Sequence, residues 1–142
     1  MARRIRALLD ANVILDVLQR REPFFDDAAG VVAAAERSEI QGLVAAHTVT
    51  TLFFLMAKHC SPDTARVQIG ELLRILQVAG IDQAVIEHAL ALPYPDFEDC
   101  VQMAAAEQAH ADFLVTRDRG LYALGPLPAL TPAELTALLG SA

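Results

Sequence analysis

Short apolar runs alternate with segments of helical periodicity along this chain, and that alternation restricts its possible folds more than any other feature. We predict four strands, at Ile5–Leu9, 42–46, 76–78 and Phe113–Val115. Helices are predicted at 13–19, 25–37, 48–58, 63–76, 82–90, 96–110 and 131–139. Strands that alternate with helices indicate a parallel α/β sandwich.

The chain's 142 residues fit one domain, and we expect a single domain over 1–142. Its seven glycines and seven prolines are scattered, so no linker separates two halves. Hydrophobic residues make up 54% of the sequence, which suggests an extra apolar surface for self-association or a partner. That composition favours a homodimer.

Charge and cysteine content limit the classes of function. The net charge of −7 argues against nonspecific wrapping of nucleic acid, which draws its affinity from many lysine and arginine contacts to phosphate. Cys60 and Cys100 have no nearby partner in sequence, and we expect both to be reduced core thiols of a cytoplasmic protein. The N-terminal RRIR is followed by acidic residues rather than a signal-peptide core, and 40–57 is too polar to span a membrane.

Three aspartates lie where an apolar element meets a turn or a helix start: Asp10 after the first strand, Asp118 after the last, and Asp99 in the helix that Asp96 is expected to cap. Parallel strands place their carboxyl ends at one edge, where open α/β sheets bind ligands. Carboxylates gathered there would repel one another, and Mg²⁺ or Mn²⁺ would relieve the repulsion. The sequence therefore predicts a metal site made by Asp10, Asp99 and Asp118, although capping or turn formation explains each acid taken singly.

Three motifs, in this order, resemble those of the PIN domain, and within it the VapC-like ribonuclease toxins of bacterial toxin–antitoxin pairs: DANVILDVLQRREPF, DFEDCVQMAAAEQAHAD and FLVTRDRGL. The resemblance covers almost the whole chain. It implies a three-layer α/β/α sandwich with a small parallel sheet, and a Mg²⁺- or Mn²⁺-dependent endoribonuclease. It also implies a cognate antitoxin as partner and gives Asp10, Asp99 and Asp118 the family's acidic positions.

One departure concerns the metal site. Members of this family commonly carry a glutamate early in the helix after the second strand, where this chain has Thr51. Asp96, one turn before Asp99, is our candidate for the missing negative charge and a fourth catalytic acid. Asn12, Thr116 and Arg117 are candidates for substrate binding, and Asn12 and Thr116 also for orienting Asp10 and Asp118. Asp16 is expected at the surface or at a packing edge.

Two rival functions follow from the same residues. Haloacid-dehalogenase-like phosphatases also place an aspartate after the first strand, but their second aspartate donates a proton, which Asn12 cannot do. The other rival is a PIN-like module that binds RNA or protein without cutting, since Thr51 weakens the metal site. Metal-dependent turnover separates this module from a nuclease.

Overall fold

A five-stranded, all-parallel sheet organises the computed structural model, which describes residues 3–123 and 125–140. The strands are β1 (Ile5–Leu9), β2 (Ile40–Ala45), β3 (Leu76–Ala79), β4 (Phe113–Val115) and β5 (Ala129–Leu130). Their order across the sheet is β3-β2-β1-β4-β5. The chain thus builds outward from β1 on one side, and then returns to add β4 and β5 on the other.

Helices cover both faces of this sheet. They are α1 (Ala11–Leu18), α2 (Phe25–Glu36), α3 (Ala46–His59), α4 (Pro62–Leu72), α5 (Gln83–Ala89), α6 (Phe97–Gln108) and α7 (Pro132–Gly140), with a 3-10 helix at Arg119–Tyr122. Successive strand side chains point to opposite faces. In β1, Ala7 and Leu9 join a core with α1 to α4 and α7, whereas Leu8 joins a second core with α5 and α6. The predicted three-layer α/β/α sandwich is confirmed.

Local sequence signals placed most element boundaries well. Asp96 caps its helix as predicted by accepting from the backbone N–H of Glu98, and Asp82, at the start of the predicted helix 82–90, accepts from that of Val85. At the start of α7, Thr131 and Glu134 exchange two hydrogen bonds, as their capping-box spacing predicts. Two elements were not predicted: the two-residue β5 and the 3-10 helix, both too short to show a periodicity.

The expectation that both cysteines are core thiols is wrong for Cys60. Cys100 is buried on α6, but Cys60 follows the last residue of α3 and is exposed there. Both thiols are free. Within 3–123 and 125–140, no helix combines the length and the apolar character needed to cross a membrane.

The C-terminus of α2 offers a test of backbone strain. Ser38 has φ of 62° in a Schellman motif, in which its N–H donates to Ala35 and that of Glu39 donates to Ala34. A left-handed backbone is costly for any side chain and free for glycine. We expect Ser38→Gly to raise the free energy of unfolding by about 0.5 kcal/mol, because relief of strain exceeds the added entropy of the unfolded chain. Urea denaturation measures this, and a loss of stability would contradict it.

Candidate functional site

The site begins where β1 and β4 end, at the point where the strand order reverses. Asp10 follows β1 and Thr116 follows β4. The Asp10 N–H donates to Val115 O at 2.9 Å, so the two strand ends stay in register beyond the sheet. The Thr116 hydroxyl, on a side chain that is almost fully buried, donates to Asp10 Oδ2 at 2.8 Å. Thr116, just after β4, therefore orients one oxygen of Asp10, and no side chain in 3–123 or 125–140 donates a hydrogen bond to Oδ1.

Asp99 reaches the same edge from the first turn of α6. Its Oδ1 accepts a hydrogen bond of 2.9 Å from the hydroxyl of Tyr122. That hydroxyl accepts in turn from Gln102 Nε2 at 3.1 Å, and both Tyr122 and Gln102 are buried. A chain of side chains from α6 and the 3-10 helix thus fixes the Asp99 carboxylate.

Asp10 and Asp99 meet in a small cavity of about 50 Å³. The cavity is lined by Asp10, Ala11, His47, Thr48, Thr51, Glu98, Asp99 and Gln102. Thr51 occupies this lining from α3, and its hydroxyl donates to the carbonyl of His47 at 3.4 Å. The neutral residue at the departure from the family pattern therefore lies beside the two acids.

The cavity is electrostatically unfavourable for the ionised form of Asp99. Burial raises the pKa of Asp99, and repulsion from Asp96, Asp10 and Glu98 adds to the rise, against the lowering effect of the Tyr122 hydrogen bond. In the described part of the chain, no lysine or arginine forms an ion pair with Asp10 or Asp99. Oxygen ligands with uncompensated negative charge fit a hard divalent cation.

Asp118 does not join the two acids in this cavity. It lies at the start of the 3-10 helix, where its N–H donates to the Thr116 hydroxyl at 3.1 Å. Among the residues described, no three His, Cys, Asp or Glu side chains form a cluster that could hold a metal ion. Asp10 and Asp99 alone still match the one or two carboxylates that commonly hold Mg²⁺ together with water and substrate phosphate.

Two further candidates lie outside the cavity lining. Asp96 is exposed, and its Oδ1 caps α6 by accepting from the N–H of Glu98 at 3.0 Å, so its charge acts on Asp99 from a distance. Asn12 is exposed on α1, and its Oδ1 accepts from Arg21 at 3.4 Å. Of the three residues proposed for substrate binding or for orienting the acids, Thr116 is the one in contact with Asp10.

The expectation that Asp16 lies at the surface or a packing edge is wrong. Asp16 is fully buried on α1, where Arg117 Nε lies 3.0 Å from its Oδ2 and Arg117 Nη2 donates to its Oδ1 at 3.3 Å. Burial raises the pKa of Asp16, while Arg117 and then Arg21 oppose the rise. Arg117 also lies over the ring of Phe24, 4.0 Å from its centroid. Sequence reasoning missed this pairing because its partners are 101 positions apart.

Sequence reasoning also missed polar residues at the site, among them Glu98, Gln102, His47 and Tyr122. Glu98 and Gln102 belong to α6 with Asp99. Gln102 lies one helical turn beyond Asp99, so helical spacing could have predicted that it lies beside Asp99. His47 and Tyr122 had no such signal. His47 Nε2 lies 3.2 Å from the carbonyl oxygen of Glu98, which connects the start of α3 to the start of α6.

Comparison with known proteins identifies the family of this chain. The family model of the PIN domain matches residues 6–120. This chain belongs to the PIN-domain family. No curated protein matches the sequence of this PIN domain.

Solved structures share the fold of this PIN domain. A toxin–antitoxin complex from Klebsiella pneumoniae is 23% identical, with a TM-score of 0.69 over 90% of this chain and 98% of that chain. VapBC-1 from nontypeable Haemophilus influenzae is 14% identical, with a TM-score of 0.67 over the same shares. VapC20 of Mycobacterium tuberculosis, a sarcin–ricin loop cleaving toxin, is 12% identical, with a TM-score of 0.65 over 84% of this chain and 95% of that chain.

The Tyr122 hydroxyl provides a test of the electrostatics of this PIN-domain site. In Tyr122→Phe, Asp99 loses the hydrogen bond that lowers its pKa, so we expect that pKa to rise further. The unpaired Gln102 amide should cost about 1–2 kcal/mol of stability at neutral pH. The ionised form of Asp99 destabilises the fold, because the pKa of Asp99 is raised in the folded state. The part of the stability loss that comes from ionised Asp99 should therefore be recovered as pH falls through that pKa.

A carboxyl-carbon NMR titration of Asp99 and urea denaturation at pH 7 and pH 5 measure the two effects. Tyr94→Phe is the matched control, because the buried Tyr94 hydroxyl has no hydrogen-bond partner among the described residues. An unchanged Asp99 pKa in Tyr122→Phe would contradict the assigned hydrogen bond.

Proposed function

We propose that this PIN domain is a divalent-metal-dependent endoribonuclease that hydrolyses phosphodiester bonds of cytoplasmic RNA, and that it is the toxin of a toxin–antitoxin pair. The observation that carries the proposal is the convergence of Asp10 and Asp99 on one cavity at the reversal point of the sheet, with no basic partner among the described residues. Family membership and the VapC20 neighbour, a sarcin–ricin loop cleaving toxin, support the reaction class.

In this proposal, Asp10 and Asp99 hold Mg²⁺ or Mn²⁺, and Asp118 adds a third carboxylate after substrate binds. A bound cation there would activate a water molecule and stabilise charge on the phosphate. Thr116 keeps Asp10 oriented, and Tyr122 does the same for Asp99. Asp96 adds negative potential without a direct contact. Asn12 and Arg117 remain candidates for contact with the RNA backbone.

The test is cleavage of a mixed pool of structured RNA by the wild-type protein in Mg²⁺, in Mn²⁺ and in EDTA. Cutting that requires metal supports the nuclease. The competing function, an RNA- or protein-binding module without turnover, is favoured by Thr51 and by the lack of a three-ligand cluster among the described side chains. RNA binding without cutting in any metal would replace the nuclease with that module.

A cognate antitoxin and a second copy of this chain are the proposed protein partners. Several structural neighbours are toxin–antitoxin complexes, which supports an antitoxin. Large apolar side chains lie at the surface, including Phe54, Val67 and Leu90, and this supports self-association. We propose that an antitoxin segment occupies a groove near the active site. Removal of this antitoxin segment should raise ribonuclease activity, whereas unchanged turnover would contradict inhibition by occlusion of the active site.

Thr51 offers a gain-of-function prediction. Thr51→Glu places a third carboxylate beside Asp10 and Asp99, so we expect tighter metal binding, by about tenfold, and more cleavage at low metal concentration. Mn²⁺ titration by calorimetry measures the first effect. Thr51→Gln, with a similar shape and no charge, is the control, and equal affinities in both variants would contradict the prediction.

A further inference from the structure

A buried carboxylate on α1 has no part in the proposed chemistry. Asp16 lies six residues after Asp10, with its side chain fully buried against Arg117. Arg117 is the residue between Thr116, which donates to Asp10, and Asp118. The ion pair therefore joins α1 to the segment that carries two of the candidate site residues.

We propose that Asp16 and Arg117 are positioning residues of the nuclease, which hold segment 116–118 against α1 so that Thr116 stays on Asp10 and Asp118 keeps its position beside Thr116. This inference rests on the proposed function. It reassigns Arg117 from a contact with RNA to a support for the acids. We call the pair the Asp16–Arg117 clamp.

Two successive residues attach segment 116–118 to α1. Thr116 bonds to Asp10 at the start of α1, and Arg117 bonds to Asp16 inside that helix. A single hydrogen bond leaves a segment free to rotate about it, whereas two bonds to one rigid helix fix its direction. Asp118 is the next residue after Arg117, and its N–H donates a hydrogen bond to the Thr116 hydroxyl at 3.1 Å. The side chains of Thr116 and Arg117 thus tie the end of β4 to α1, in addition to the backbone bond from the Thr116 N–H to Leu130 O.

The guanidinium of Arg117 is already engaged on two sides. Asp16 contacts its edge, and the ring of Phe24 lies 4.0 Å from its central carbon. An arginine that binds phosphate presents free donors to solvent, but this side chain is only 30% exposed. Stability alone is a poor reason for the arrangement, because apolar residues of similar volume usually stabilise a core as well as a buried ion pair does.

The experiment compares Asp16→Asn, Arg117→Gln, Arg117→Lys and the double variant Asp16→Asn/Arg117→Gln with the wild type. Arg37→Gln and Glu39→Gln are the controls, because they break an exposed arginine–glutamate pair at the start of β2, the opposite edge of the sheet. Steady-state cleavage of RNA in Mg²⁺ gives kcat and KM. Hydrogen exchange of residues 116–122 reports the order of the segment without any need for catalysis.

We expect kcat to fall about 10- to 100-fold in Asp16→Asn and Arg117→Gln, with KM within about twofold of the wild-type value. The double variant should lose no more than either single variant, Arg117→Lys should recover part of the rate, and the controls should cleave normally. Exchange of the Asp118 amide should be faster in the clamp variants, with β1 unchanged.

A rise in KM at constant kcat would instead make Arg117 a substrate contact and overturn the inference. Unchanged exchange at 116–122 would overturn it as well, whether or not RNA is cut. If the wild type cuts no RNA in either metal, the proposed function fails, and the exchange measurement still decides whether the clamp orders the segment.

Discussion

Asp10→Asn and Asp99→Asn should each lower metal-dependent RNA cleavage by at least about a hundredfold, because removing one carboxylate from the proposed two-carboxylate site should remove about 3 kcal/mol of transition-state stabilisation. The same substitutions should not lower stability. Asp99 is a half-buried acid whose pKa is raised by burial and by neighbouring acids, so its ionised form opposes folding in the absence of metal. An asparagine there keeps an oxygen for the Tyr122 hydroxyl and removes the repulsion.

We therefore expect Asp99→Asn to show an equal or higher Tm in EDTA while activity is lost. Loss of activity at unchanged stability is the pattern of residues retained for chemistry rather than for the fold. Asp63→Asn is the matched control, since Asp63 is exposed in the first turn of α4, away from the cavity. Scanning calorimetry in EDTA and cleavage in Mg²⁺ give the two values. Full activity in either active-site variant would remove that acid from the proposed mechanism.

Arg117→Met should be the most destabilising of these changes, by about 3 kcal/mol at pH 7. The substitution leaves the carboxylate of Asp16 fully buried, with Arg21 Nη1 at 3.9 Å as its remaining positive neighbour. Burial already raises the pKa of Asp16, and without Arg117 that pKa should rise further. Because protonation then removes the buried charge, the loss of stability should be smaller at pH 5 than at pH 7.

Adding Asp16→Asn to Arg117→Met should restore part of the stability, since no unpaired carboxylate remains in the core. If Asp16 and Arg117 act as the clamp, the rate of cleavage should stay low in this stable double variant. Urea denaturation at both pH values measures the first effect and kcat the second. A loss of stability that is equal at pH 5 and pH 7 would contradict the role given to the Asp16 charge.

The sequence predicted features that depend on local spacing. The apolar runs Ile5–Leu9 and Phe113–Val115 are strands because their composition suits a sheet covered on both faces, whatever lies far away in the chain. The Asp96 cap and the capping box at Thr131 depend on residues two or three positions away. Asp10 was found because it directly follows an apolar run.

Features that depend on distant partners were not predictable in the same way. Asp16 has a polar side chain in an apolar helix, and only the fold brings Arg117 to it. Tyr122 lies in a 3-10 helix without periodicity, and its contact with Asp99 depends on how the chain turns after β4. The same turn decides the position of Asp118, which its place after a parallel strand grouped with the other two acids.

The hydrogen bond from Thr116 to Asp10 also has a consequence for synthesis of the protein. It joins residues 106 positions apart, so the first acid of the site is made early and its orienting partner near the end of translation. The Tyr122 hydroxyl that fixes Asp99 is made later still. A partly synthesised chain therefore holds both acids without the groups that orient them. For the proposed nuclease, this order means that the site is completed only when residues 116–122 have been made.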